Sequence, residues 1–401
     1  MQSTIPSFLS SACRFFAVTL ATGVACTGVS ALAQQVSARP TSFRLDSDEF
    51  PIGMFSVDSS GAMAQVKTMG VSYVQTYGQG DGNTPGLVAR DVGYLDSARK
   101  HGLKVMFNLD GARWVGMDNG VAGMLKLVNA VKAHPALGFW YFYDEPDGKH
   151  TPEQLMPFYQ ALKKATPEIP VAIATAWSKK WYAYNGQLDA LMIDTYPVQH
   201  RPFPNSSLGV MTRFTERAIS LGKPVIPINQ CFNWRVLAGE RELYRGSPAS
   251  KLRFPNQTEI RYWCFSGLAQ GVRGMFWWSY CRSGQAGYGW INGEFKAVLR
   301  EFRQYADLVS PAHECIVLKQ PRDTNVMMAL WERPGKSCLV AVNSSALAQP
   351  LNGRLEGKLL SATLSPWGTT RDTGATLENG KLSAGQAKPW EVFVWEVKDL
   401  E

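Results

Sequence analysis

Residues 136–155 read "ALGFWYFYDEPDGKHTPEQL". An almost unbroken aromatic and apolar run, Leu137 to Tyr143, leads straight into Asp144-Glu145-Pro146-Asp147, and a helix-like segment follows. Short apolar runs without polar alternation suit strands of a parallel sheet that is covered on both faces. Pro146 has no N–H to continue a ladder, so it ends the strand where the carboxylates begin. Ionised carboxylates are costly to desolvate, so adjacent acids at the end of a buried strand mark either a solvated loop or a working site.

Outward from this stretch the same strand-then-helix rhythm fills residues 50–310. Strands are predicted at 52–57, 71–77, 103–109 and 137–143, then at 171–177, 190–196, 224–230 and 272–280. Several intervening helical segments end in glycine just before the next strand (Gly70, Gly102, Gly222, Gly271), as a left-handed helix stop requires. Eight such units in about 250 residues predict an α/β fold, a (β/α)8 TIM barrel. An open doubly wound sheet is the alternative, disfavoured because no G-x-G-x-x-G or phosphate-loop motif follows a strand. After Pro311 the pattern becomes short β-like runs separated by Gly, Pro, Asn and Ser, with Asn379-Gly380 as a hairpin turn. A small antiparallel β-sandwich is predicted over 311–401, more a packing module for the barrel than a separate binder, although Trp331, Trp367 and Trp390 leave binding open.

The first 33 residues stand apart. Arg14 precedes "FFAVTLATGVACTGVSALA", which ends in Ala31-Leu32-Ala33 before Gln34, the pattern of a cleaved secretory signal. A retained anchor is the alternative, since the run only just reaches the ~20 residues of a span. Export to the periplasm or the medium is therefore expected, with a barrel over 34–310 and no membrane span in the mature chain. Cleavage would take the net charge of +8 to +7 by removing Arg14. That excess forms no Lys/Arg run, so a nucleic-acid partner is not expected. Cys231, Cys264, Cys281, Cys315 and Cys338 would remain, without a C-x-x-C pair. Cys231 with Cys281, or Cys315 with Cys338, could bridge, or all could be buried thiols. Oligomeric state is not legible.

In a barrel of this kind chemistry lies at the C-terminal strand ends. Those ends offer Asp58, Gln75, Tyr77, Asn108, Asp110, Asp144, Glu145, Trp177, Asp194, Tyr196, Asn229, Gln230, Trp234, Trp277, Trp278 and Tyr280. The set is carboxylates, amides and aromatics, with no His-rich metal cluster, so no metal or cofactor is expected. Carbohydrate suits it, because sugar C–H faces pack on aromatic rings while polar groups meet the hydroxyls. Asp110, Tyr77, Trp177, Tyr196, Gln230, Trp234 and Trp278 are the expected binding residues. Trp140, Tyr141 and Phe276 read as core. Glycosidic cleavage needs a proton donor and usually a second carboxylate, and Glu145, beside an apolar strand, is the expected donor.

The strand ends "WYFYDEP", "IDTYP" and "FWWSY" resemble the (β/α)8 glycoside hydrolases of clan A, a similarity that covers the barrel. In that clan strand 4 ends Asn-Glu-Pro, which implies that Glu145 is the acid/base and that Asp144 stands where the Asn would be. A Trp near the end of strand 8, often followed by a cis peptide, corresponds to Trp277 or Trp278. The departure is at strand 7, where the clan places its nucleophilic Glu and this chain has Gln230. Two solutions remain open. Asp194 is the partner, held ionised by Tyr196 and Gln230; or the substrate's 2-acetamido group attacks, oriented by Asp144 of an Asp-Glu pair similar to that of the family 123 N-acetylgalactosaminidases. A barrel that binds glycan without cutting it is the alternative function.

Overall fold

The computed structural model describes residues 49–176, 180–199, 208–244, 246–280, 287–306, 309, 314–318, 325–332, 336–355 and 360–400. The leader read at 1–33, Trp177 and Cys281 lie outside the described residues. Eight strands close a parallel barrel: β1 (Ile52–Met54), β2 (Tyr73–Val74), β3 (Lys104–Asn108), β4 (Leu137–Asp144), β5 (Val171–Thr175), β6 (Ala190–Asp194), β7 (Val225–Gln230) and β8 (Met275–Trp278). Strand β1 pairs with β8 on one side and β2 on the other, which removes the edges an open sheet would keep. Several strands are shorter than predicted; β2 is two residues long, although Gln75 still bonds the β1 side, its N–H donating to Met54 O at 3.0 Å and its carbonyl accepting from Val57 N at 2.9 Å.

The barrel interior is filled asymmetrically. Phe55, Tyr73, Phe139, Tyr141 and Phe276 come from the β1, β2, β4 and β8 side, and Ala172, Ala174 and Ala190 come from β5 and β6. Large rings on one wall thus meet small residues on the other, as close packing requires. Their centroids lie 5.5–6.2 Å apart, mostly edge to face. Gly53 is what lets the Phe276 ring in, since a Cβ there would sit 2.0 Å from it. The predicted glycine stops hold: Gly271 caps the helix Gln257–Gln270 in the left-handed region at φ 77°, and Gly70, Gly102 and Gly222 also have positive φ.

The C-terminal region is a two-layer antiparallel sandwich. One sheet has the order β9-β10-β11-β16-β13, built from β9 (Glu314–Leu318), β10 (Val326–Glu332), β11 (Ser337–Asn343), β13 (Thr363–Pro366) and β16 (Val392–Lys398). The other has the order β12-β15-β14, from β12 (Gln349–Arg354), β14 (Thr376–Glu378) and β15 (Lys381–Ala387). Asn379-Gly380 is the two-residue turn between β14 and β15, with positive φ at both positions. Strand β12 has no sequence signal of a strand; it contains Pro350 and Gly353, carries a register shift after Pro350, and lies at a sheet edge where both are tolerated.

Leu330, Leu339, Leu351, Leu382, Phe393 and Trp395 fill the space between the two sheets. The other face of the larger sheet packs on the barrel, and here the expected exposure of its tryptophans is corrected. The Trp331 indole donates to Leu268 O at 3.2 Å, Trp390 packs on Tyr262 at 5.0 Å, and Trp367 packs on Tyr305 at 4.9 Å. Arg261, on the helix Gln257–Gln270, bridges Glu301 at 3.0 Å and donates to Thr369 Oγ1 at 2.9 Å and Val392 O at 3.3 Å. The sandwich is therefore a layer of the barrel, as its reading as a packing module anticipates.

Among the described residues no disulfide joins Cys231, Cys264, Cys315 and Cys338 to one another. Cys315 and Cys338 both register with Trp331, from opposite sides, so two strand spacings separate them. That is about 10 Å, beyond the ~7 Å limit for a bridge. Burial pushes the Cys338 thiol up to about 12.

Candidate active site

The Asp-Glu-Pro turn is held from several sides. The Glu145 N–H donates to Ala174 O at 3.0 Å, which carries the β4–β5 ladder one residue beyond β4. Glu145 then takes φ 53°, a left-handed conformation that costs a non-glycine residue about 1–3 kcal/mol and persists only where the surroundings impose it. Pro146 O accepts from Gly148, Lys149 and His150 at 2.9–3.0 Å. The Tyr184 hydroxyl donates to His150 O at 2.6 Å, and the Tyr143 hydroxyl meets His150 Nδ1 at 2.9 Å. The result is that Asp144 is half-buried and Glu145 exposed at the mouth. Ser56 after β1 and Asp110 after β3 also have positive φ, 58° and 51°, so three strand ends of this rim share the conformation.

Three carboxyl groups converge at this turn. Asp194, only 7% exposed at the end of β6, is hydrogen-bonded to Glu145. Burial pushes the Asp194 carboxyl well above the usual carboxylate range, helped by the hydrogen bond and charge of Glu145 and by the charges of Asp144 and Asp147. Two carboxyls in contact share one proton more readily than they ionise together. Burial also raises Asp144, against the opposing effect of the Tyr141 hydroxyl, which donates to Asp144 Oδ1 at 2.7 Å. The Tyr77 hydroxyl is a second donor to Asp144 and itself receives the Trp278 indole N–H. Enclosure of that hydroxyl raises Tyr77, while the residue as a whole stays 41% exposed.

An aromatic group frames the acids. Tyr196 stacks on Trp278 at 5.4 Å, and Phe232 and Trp234 pack edge-on to Tyr196 at 5.2 and 6.1 Å. The peptide after Trp278 is cis, so of the two tryptophans the resemblance allowed, Trp278 is the one with that feature.

Of the expected site residues, Glu145, Asp144, Asp194, Tyr77, Tyr196 and Trp278 are thus brought together. Asp110 lies on the same rim in an ion pair with Arg113 at 3.4 Å. Trp234 is buried, its indole donating to Tyr196 O at 3.1 Å, so it backs the rim rather than facing it. Gln230 is fully buried. Its amide donates to Val198 O at 2.8 Å and Phe232 O at 3.0 Å and accepts from Val198 N at 2.9 Å. It ties the loops after β6 and β7 together, and the expectation that it keeps Asp194 ionised is corrected: its amide is committed to the backbone, and Asp194 is displaced toward its neutral form. Trp177 lies outside the described residues. Among the described residues no group of three or more His, Cys, Asp and Glu is placed to hold a metal ion.

Tyr141 is a core residue of the barrel, as expected, and its hydroxyl contact with Asp144 is an additional role that the sequence does not show. In a regular strand residues three apart face opposite sides. A register shift between Tyr141 and Tyr143 brings Tyr141 and Asp144 together instead, and no residue type in "WYFYDEP" announces that bulge.

No family model matches the chain and no curated protein matches it. Solved structures do. The family 30 subfamily 8 xylanase Xyn30A from Clostridium acetobutylicum is 12% identical with a TM-score of 0.51, over 87% of this chain and 96% of that one. An Anoxybacillus α-amylase is 9% identical with a TM-score of 0.51, over 88% and 98% of the two chains. A variant of AmyP in complex with maltotriose is 8% identical with a TM-score of 0.54, over 88% and 98%. At such identities the likeness is one of fold, a TIM barrel.

Proposed function

We propose that this protein is a glycoside hydrolase, exported from the cell behind the leader read at 1–33, with Glu145 as the proton donor to the glycosidic oxygen. The observation that carries the reading is the hydrogen-bonded Glu145–Asp194 pair at the barrel mouth. A general acid must keep a proton near neutrality that a free carboxyl would lose. The buried Asp194, displaced toward its neutral form, supplies that proton to the pair, and the exposed Glu145 delivers it. Aromatic faces at Tyr77, Tyr196 and Trp278 suit sugar rings, and the fold likeness to a xylanase and an α-amylase agrees with the class.

The same contact bears on the second half of the reaction. Retaining and inverting pairs stand about 5–5.5 and 6.5–9.5 Å apart, with the scissile bond between them. Carboxyls in hydrogen-bond contact leave no such room, so Asp194 acts on the same side as Glu145. That favours Asp144, steadied by Tyr141 and Tyr77, as the group that orients an attacking function of the substrate itself, such as a 2-acetamido group. The test is Glu145→Gln assayed on a glycan panel. A loss of about 10²–10⁴-fold in kcat is expected; cleavage at the wild-type rate would remove Glu145 from the mechanism, and with it this reading.

A further inference from the structure

The rim aromatics do not stop at the acid cluster. After β7 the chain makes a long excursion, Cys231 to Asn256, containing a two-stranded hairpin of Leu243–Tyr244 with Ser247–Pro248. This excursion has its own small core of Phe232, Trp234, Ala238, Ala249 and Leu252, on which Tyr196, Tyr244 and Trp278 pack. It is anchored to the loop after β6: Ser247 Oγ lies 3.0 Å from Gln199 Oε1, and Arg253 N donates to Gln199 O at 3.1 Å. Followed from the hairpin inward, Tyr244 packs on Trp234 at 6.0 Å, Trp234 on Tyr196 at 6.1 Å, and Tyr196 on Trp278 at 5.4 Å. Trp278 then bonds Tyr77, which bonds Asp144. At both ends of the series apolar surface is open: Tyr77 is 41% exposed and Leu243 62% exposed.

From this continuity we infer that the substrate is an extended glycan, bound along the aromatic wall from Tyr77 past Trp278 and Tyr196 to the Leu243–Tyr244 hairpin, and cleaved within the chain rather than at its end. This rests on the hydrolase reading of the same site. A pocket for one terminal sugar needs a ring platform beside the acid and nothing further out. Here half-buried rings from β2, β6, β8 and the hairpin form one connected surface, backed by the buried Trp234 and Phe232. Successive sugar rings present apolar C–H faces at intervals, and a row of aromatic platforms is the complement of that pattern. Leu243, exposed on a hairpin that its own core holds in place, has the contact surface of an outlying subsite.

The test separates binding from cleavage by using the Glu145→Gln protein as the binding form. Its affinity is measured for size-graded xylo-, malto- and chito-oligosaccharides, and the wild-type products from the matching polysaccharides are followed over time. For the sugar it recognises, affinity is expected to climb with chain length. Tyr244→Ala in the same background should lower affinity for the longest fragment about tenfold, which corresponds to about 1.4 kcal/mol. Leu243→Ser, a surface change, should lower it in the same direction by less, and covers the case in which the tyrosine variant does not fold. Wild-type digestion should yield fragments of several sugars from the earliest times. Affinity independent of length, or release of single sugars from the start, would overturn the inference and leave the hydrolase standing. Length-dependent binding without any cleavage would overturn the hydrolase and leave the cleft standing.

Discussion

The ends of β4 and β7 occupy equivalent places in one ring, and they do opposite things. At β4, Glu145 adopts a left-handed backbone, stands exposed, and shares a hydrogen bond with a buried acid. At β7, Gln230 is fully buried and its amide is matched by two carbonyls and one N–H of the neighbouring loops. A polar group whose hydrogen bonds are complete holds the fold together, while one placed in strain beside an unwilling charge is available for chemistry. The strand-7 position that looked like a missing catalytic residue is a structural joint.

The largest expected effect on that contrast is the loss of rate in Glu145→Gln, about 10²–10⁴-fold with the fold retained; equal melting temperatures for variant and wild type check the second half. Next comes Gln230→Glu, which restores the carboxylate position of the resembling clan. It should bring no activity, because the new group would face Val198 O and Phe232 O. Leaving such groups mismatched in the interior should cost about 3–5 kcal/mol, read by denaturant unfolding. A gain in rate from this variant would break the comparison.

Asp194→Asn tests the proton pair through pH. Asp194 is raised in the folded protein above its unfolded value near 3.9, so the folded state binds more protons and stability falls as pH rises from about 4 through the folded value. The Asn variant should flatten that slope in melting temperature against pH. It should also move the alkaline limb of the rate profile; a profile that does not move would detach Asp194 from Glu145. The smallest effect on stability is that of Glu145→Gly, which relieves the positive φ. A stability gain of about 0.5–1 kcal/mol is expected alongside the loss of activity; destabilisation would mean that the turn is not strained.

Much of this was legible in the residues. The eight strands, the glycine stops and the Asn379-Gly380 hairpin follow from periodicity and turn chemistry, because each depends on neighbours in sequence. The acids and rings at the strand ends were nameable once the barrel was assumed. What depended on contacts distant in the chain was not: Gln230 meets Val198, Asp194 meets Glu145, and Tyr141 reaches Asp144 only through a bulge. The tryptophans of the sandwich misled for the same reason, since their cover is Leu268 and Tyr262 of the helix Gln257–Gln270 and Tyr305 of the helix Lys296–Ala306.

That helix has a consequence for how the molecule can change. Eleven of its fourteen residues are buried, including Tyr262, Trp263, Phe265 and Leu268, so it offers almost no face to water. An ordinary barrel helix shows one side to solvent; this one is sheathed by the sandwich, through Trp331, Trp390 and the hydrogen bonds of Arg261 to Thr369 and Val392. The boundary near residue 311 therefore divides the chain by pattern and not by autonomy. A protein shortened to end at Ala306 should aggregate rather than yield a free barrel, whereas the excursion after β7 carries a small core of its own.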